Sequence, residues 1–103
     1  MALPTVTITG TVYDPSGTGV AGGVITITPS APFAIDDDAT SETYRVGGIT
    51  SAIIAADGTV NFTMIPNQES TTYRARFRIA DGRTWEEVWT ILSAPASQDI
   101  GDL

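Results

Sequence analysis

RARFRIADGRTWEEVW, residues 74–89, alternates basic and apolar side chains, breaks at Ala80-Asp81-Gly82, and resumes with two tryptophans four residues apart. Side chains at every second position face one side of a strand, so Arg74, Arg76 and Arg78 share one face and Ala75, Phe77 and Ile79 the other. Asp-Gly between two such runs signals a hairpin. Its register decides the fold, because a slip of one residue exchanges the two faces. A three-residue loop, Ala80-Asp81-Gly82 with Gly82 in the left-handed region, sets Phe77 opposite Trp85, Tyr73 opposite Trp89 and Arg76 opposite Glu86. A two-residue loop, Asp81-Gly82, instead sets Arg74 beside Trp89, Arg76 beside Glu87 and Arg78 beside Trp85, a cation–π ladder on the surface.

The first register is preferred. Burying two tryptophans and a phenylalanine stabilises by several kcal/mol on area, against about 0.5–1 kcal/mol for each exposed cation–π contact. It predicts a core face of Tyr73, Phe77, Trp85 and Trp89 and a solvent face of guanidinium groups. Its cost is Glu87, which turns inward beside Ala75, where an unpaired carboxylate is unfavourable unless it is protonated, bulged out or partnered, and the sequence names no partner. Tyr73 reads first as a core tyrosine, with a tyrosine-corner bond from its hydroxyl to backbone as the alternative.

The same period recurs outward from this hairpin. TVTITGTVY (5–13) alternates Val6, Ile8 and Val12 with threonines and reads as a strand, DPSGTG (14–19) as a tight connection, and GGVITITPS (22–30) as a second strand. Residues 30–43, SAPFAIDDDATSET, read as a long loop. Residues 44–46 make a short strand. ITSAIIAA (49–56) and TVNFTMI (59–65) form another hairpin around Asp57-Gly58, with Val60, Phe62 and Met64 on one face. Residues 94–103, APASQDIGDL, read as a polar, acidic tail. Seven short strands at intervals of about ten residues, with no amphipathic helix, predict an all-β fold: a single antiparallel Greek-key sandwich over 1–93, followed by the tail at 94–103. A small barrel is the runner-up.

The 103 residues suit one domain, and 42% hydrophobic against 17% charged side chains is a globular balance. Twelve acidic residues against five basic ones, net charge −7, predict binding to neither nucleic acid nor membrane surfaces. Cysteine and histidine are both absent, which removes disulfides, thiol nucleophiles, Ser-His-Asp and Cys-His constellations and His- or Cys-based zinc sites. Carboxylate-pair hydrolysis or an oxygen-ligated metal is what an enzyme would have left. MALPTVTITG has no basic n-region and no apolar h-region, so an ordinary signal peptide is not expected.

Neither remaining chemistry finds a signature. Asp36-Asp37-Asp38, with Glu42 nearby, are consecutive acids that cannot all turn toward one ion, and the D-x-[DN]-x-[DN]-G pattern of a calcium loop is missing. They read as an exposed acidic loop. Glu86 and Glu87 are strand neighbours that project to opposite faces and cannot flank one scissile bond. No catalytic, cofactor-binding or metal-ligating residue is therefore predicted. The arginine row reads as a solvated surface or protein contact ahead of a phosphate or sulfate site, and Thr5, Thr7, Thr9 and Thr11 as an exposed β face.

GTVYDPSGTGVAGGVITITPS (10–30), DGTVNFTMIPN (57–67) and TYRARFRIADGRTW (72–85) together resemble the G-x-V-x-D-x-x-G-x-x-V-x-G opening, D-G-x-x-x-F turn and closing hairpin of carboxypeptidase-regulatory-like and transthyretin-like sandwich modules. IPN before the penultimate strand, with the ending SAPASQDIGDL, resembles the small immunoglobulin-like modules of tail, fibre and other surface proteins of tailed bacteriophages. The resemblance implies a non-enzymatic structural protein of a virion, needing no cofactor, present in many copies or as a homo-oligomer and bound to other virion proteins. A tail, fibre or baseplate place is read ahead of capsid decoration. Arg74, Arg76 and Arg78 are the expected contact residues, with Ile100, Asp102 and Leu103 of a tail that clips onto an adjoining subunit. The rival expectation is a carbohydrate-binding module for host-surface glycans, which would expose Trp85, Trp89 or Tyr44.

Overall fold

The computed structural model describes residues 5–13, 16–36, 43–68 and 70–103. In these the alternating stretches form strands β1 (Val6–Thr11), β2 (Gly23–Pro29), β3 (Phe33–Asp36), β4 (Thr43–Val46), β5 (Thr50–Ile54), β6 (Thr59–Met64), β7 (Tyr73–Ile79), β8 (Thr84–Trp89) and β9 (Ser97–Asp99), followed by a 3-10 turn at Ile100–Asp102. One sheet has the order β6-β1-β9, a second β5-β2-β7-β8, and β3 pairs with β4. The fold is all-β, and its sheets are antiparallel apart from the parallel pair β1–β9.

Period two explains which side of each sheet is buried. Val6 and Ile8 of β1 with Val60 and Met64 of β6 meet Ile25 and Ile27 of β2, Ala52 and Ile54 of β5, and Ala75 and Phe77 of β7 in one apolar cluster. Trp89 and Ile91, both fully buried, belong to it as well. Each large aliphatic or aromatic side chain so placed is worth about 1.5–3 kcal/mol of transfer free energy.

The hairpin β7–β8 takes the three-residue register. Tyr73 lies opposite Trp89, Phe77 opposite Trp85, Arg76 opposite Glu86 and Ala75 opposite Glu87. Ile79 N donates to Arg83 O at 3.0 Å and Gly82 N to Ile79 O at 2.9 Å, closing the loop over Ala80-Asp81-Gly82. Gly82 has φ +93°, a backbone state that side chains with a Cβ resist. The Asp81 carboxylate accepts from Arg83 N at 3.0 Å and Arg83 Nε at 2.7 Å, fixing the turn from outside. Gly23 is required for a different reason: a Cβ there would overlap the carbonyl oxygen of Arg78 and lie 2.8 Å from Ile79 Cα, so β2 and β7 could not close at that end.

Two parts of the sequence reading need correction. Of residues 30–43, expected as loop, 33–36 form β3, which pairs Phe33 with Val46 and Ala34 with Arg45 of β4 and buries Phe33 and Ile35. Two apolar residues at i and i+2 suffice for a four-residue strand but are too few to stand out as a period. Residues 94–103 are also not a free tail in this chain: Thr7, Thr9 and Ile8 of β1 align with Ser97, Asp99 and Gln98 of β9, and Ile100 is 8% exposed. With β3 and β9 added, the described residues hold nine strands where about seven were expected.

Candidate functional site

The outer face of the β5-β2-β7-β8 sheet carries the arginine row. The registers place Ile53, Val24, Arg78 and Thr84 in one line across the four strands, then Ser51, Thr26, Arg76 and Glu86, then Thr28, Arg74 and Val88 across three. All three arginines are exposed. So are Ile53 at 76% and Val88 at 67%. Guanidinium forks beside exposed aliphatics and threonine hydroxyls make a mixed face of the kind that suits protein contact, where arginine is enriched and donors aim at carboxylates. Arg76 Nε sits 3.3 Å from Glu86 Oε1, an exposed pair worth about 0.2–1 kcal/mol. Three of the chain's five basic residues thus lie together on a molecule of net charge −7.

On the opposite face of β8 Glu87 is not buried as expected but stays exposed, and its carboxylate is partnered there. Its Oε1 accepts from Trp89 Nε1 at 2.9 Å and its Oε2 from Trp85 Nε1 at 3.2 Å. Residues 85, 87 and 89 share one face by period two, so the two indole N–H groups reach the carboxylate from either side along its own strand. Trp85 stacks on Phe77, with centroids 4.8 Å apart and planes 8° from parallel, and Phe77 meets Trp89 edge-on at 5.8 Å. Trp89 is fully buried while Trp85 is half-buried. Tyr73 is both things that its position allowed: a buried side chain, and a donor from its hydroxyl to Ile65 O at 2.7 Å. Burial pushes its pKa up from 10.0 to about 12.

The expected contact residues therefore divide. Arg74, Arg76, Arg78 and Asp102 are at the surface, Leu103 is partly buried against the core, and Ile100 is inside it. Asp99 caps the terminal turn, its Oδ1 accepting from Gly101 N at 2.7 Å. Glu86 and Glu87 occupy opposite faces of β8, facing Arg76 and the indoles respectively. Asp37, Asp38 and Glu42, and the side chains of Asp36 and Tyr44, lie outside the described residues. Among the described residues no three potential metal ligands come together, and no helix is long and apolar enough to cross a membrane. Comparison with family models, with curated proteins and with solved structures returned no match.

Proposed function

We propose that this chain is a non-enzymatic structural protein of a tailed-phage virion, a Greek-key, immunoglobulin-like sandwich that binds other virion proteins as a tail, fibre or baseplate accessory subunit or as a capsid decoration protein. The observation that carries the reading is the exposed row Arg74, Arg76 and Arg78, flanked by Ile53, Val24 and Val88 on one sheet face. Such a face combines charged donors for a partner's carboxylates with apolar area to bury, and multi-copy assembly would multiply a modest contact into stable attachment. Two facing sheets in which β1 neighbours β6 and β2 neighbours both β5 and β7 support the sandwich module that the sequence resembles. Complete burial of Trp89 removes one of the three aromatics, Trp85, Trp89 and Tyr44, that the glycan-binding alternative would expose.

The test is assembly. Particles purified from cells that express the chain should contain it in fixed stoichiometry by quantitative mass spectrometry, and electron cryomicroscopy should place it on an outer surface. The triple variant R74S/R76S/R78S should fold and yet be depleted from those particles. Absence of the wild-type chain from purified particles overturns the reading.

A further inference from the structure

Opposite the arginine face, a cleft of about 220 Å³ opens between β8 and the end of the other sheet. Thr11 at the end of β1, Tyr13 just after it and Leu103 form one side, and Phe77, Trp85 and Glu87 the other. We propose that this cleft is a binding site for an organic cation, a guanidinium or alkylammonium group held against the Glu87 carboxylate between the rings of Tyr13 and Trp85. The proposal does not rest on the virion reading.

Three observations lead there. Glu87 is gripped by two indole donors, one on each oxygen, so its carboxylate is fixed in direction while each oxygen keeps a further lone pair. Its rigidity is already established before a ligand arrives, which lowers the ordering cost of binding. No arginine lines the cleft, and the described ion pairs of the same hairpin, Arg76 with Glu86 and Arg83 with Asp81, do not involve Glu87. Finally, the walls are aromatic: Trp85 is half-buried with its ring stacked on Phe77, and Tyr13 is 60% exposed. A cation over such faces gains from the ring quadrupoles as well as from the carboxylate, whereas a neutral sugar would gain nothing from the charge. The net charge of −7 adds a long-range attraction for cations.

Tryptophan fluorescence reads the site directly, because Trp85 is in its wall. Methylguanidinium, titrated at constant ionic strength, should change the emission saturably. The peptide acetyl-Gly-Arg-Gly-amide, carrying the same cation on a backbone, should do so too. Tighter binding of the peptide identifies a polypeptide as the source of the cation, and equal binding a free small molecule. Glu87→Gln keeps the shape and an acceptor oxygen but removes the charge, and should weaken methylguanidinium binding about tenfold. Tyr13→Ala, at an exposed position outside the core, should weaken it about two- to fivefold without altering the melting curve. An unsaturable response, an undiminished affinity in both variants, or an equal response to neutral methyl glucoside would overturn the assignment.

Discussion

At the scale of single residues, the hydrophobic requirement of one side chain is met by the polar requirement of its neighbours. Trp89 is completely buried, and its N–H would be an orphan donor without Glu87. Trp89→Ala should therefore cost about 3–5 kcal/mol in urea unfolding, the usual range for removing a large buried aromatic. Trp89→Phe should cost less, since it restores most of the area and leaves Glu87 with Trp85. In a Trp85→Phe background the remaining emission comes from Trp89 alone and should resist acrylamide, whereas Trp89→Phe should leave a Trp85 signal that acrylamide quenches. Equal quenching of the two would contradict their different burial. Tyr73 gives the pH dependence. Its folded pKa is about 12 against 10.0 for a free tyrosine, so the neutral hydroxyl is favoured in the folded state. Below pH 10 that contribution is fully present, and it is lost as pH rises through 12. Stability measured by urea should fall across this window in the wild type, and less steeply in Tyr73→Phe. The Glu87 partnership was the part of the site that alternation alone left open: a rule that assigns faces does not say which polar atoms meet on them.

At the scale of elements, legibility followed length and turn chemistry. β7 and β8, seven and six residues long with Asp-Gly between them, were readable down to register, because four aromatics and a turn glycine all required the same alignment. β3 and β9, at four and three residues, hold too few positions for a period to show. What makes β9 a strand is a non-local partner, β1, and the apolar hold of Ile100 behind it. Ile100→Ala should consequently lower stability by about 2–4 kcal/mol, and amide exchange should rise in Ser97–Asp99 ahead of the core strands. A tail that only hung from the domain would show neither change. Gly82 of the turn and Gly23 of β2 separate in the same way. Gly82→Ala meets nothing within 4 Å and should cost only the left-handed backbone term of about 1–2 kcal/mol. Gly23→Ala forces a Cβ into the backbone of β7, so its loss of stability should exceed that of Gly82→Ala, as thermal melts of the two variants would show.

At the scale of the whole molecule, charge is sorted by face. The arginines turn outward from one sheet, while the other side of the same hairpin presents Glu87 to the cleft, so two surfaces of opposite sign lie back to back across β8. Arginine at every second position made the first surface legible in the sequence; the second depends on how the ends of β1 and the terminal turn approach β8, which local pattern does not specify. If the arginine face serves contact rather than folding, its removal must separate stability from binding. Replacing Arg74, Arg76 and Arg78 with serine leaves two basic residues against twelve acidic ones, a net charge of 2 − 12 = −10 in place of −7. Only the Arg76–Glu86 pair is lost among the described ion pairs, and both of its side chains are largely solvated. The triple variant should thus stay within about 1 kcal/mol of the wild type in urea, elute later from an anion exchanger and, on the proposed virion role, be depleted from particles. A variant that unfolded would instead make the row part of the scaffold, against what exposed guanidinium groups predict, since among the described residues they have no buried partner whose loss would matter.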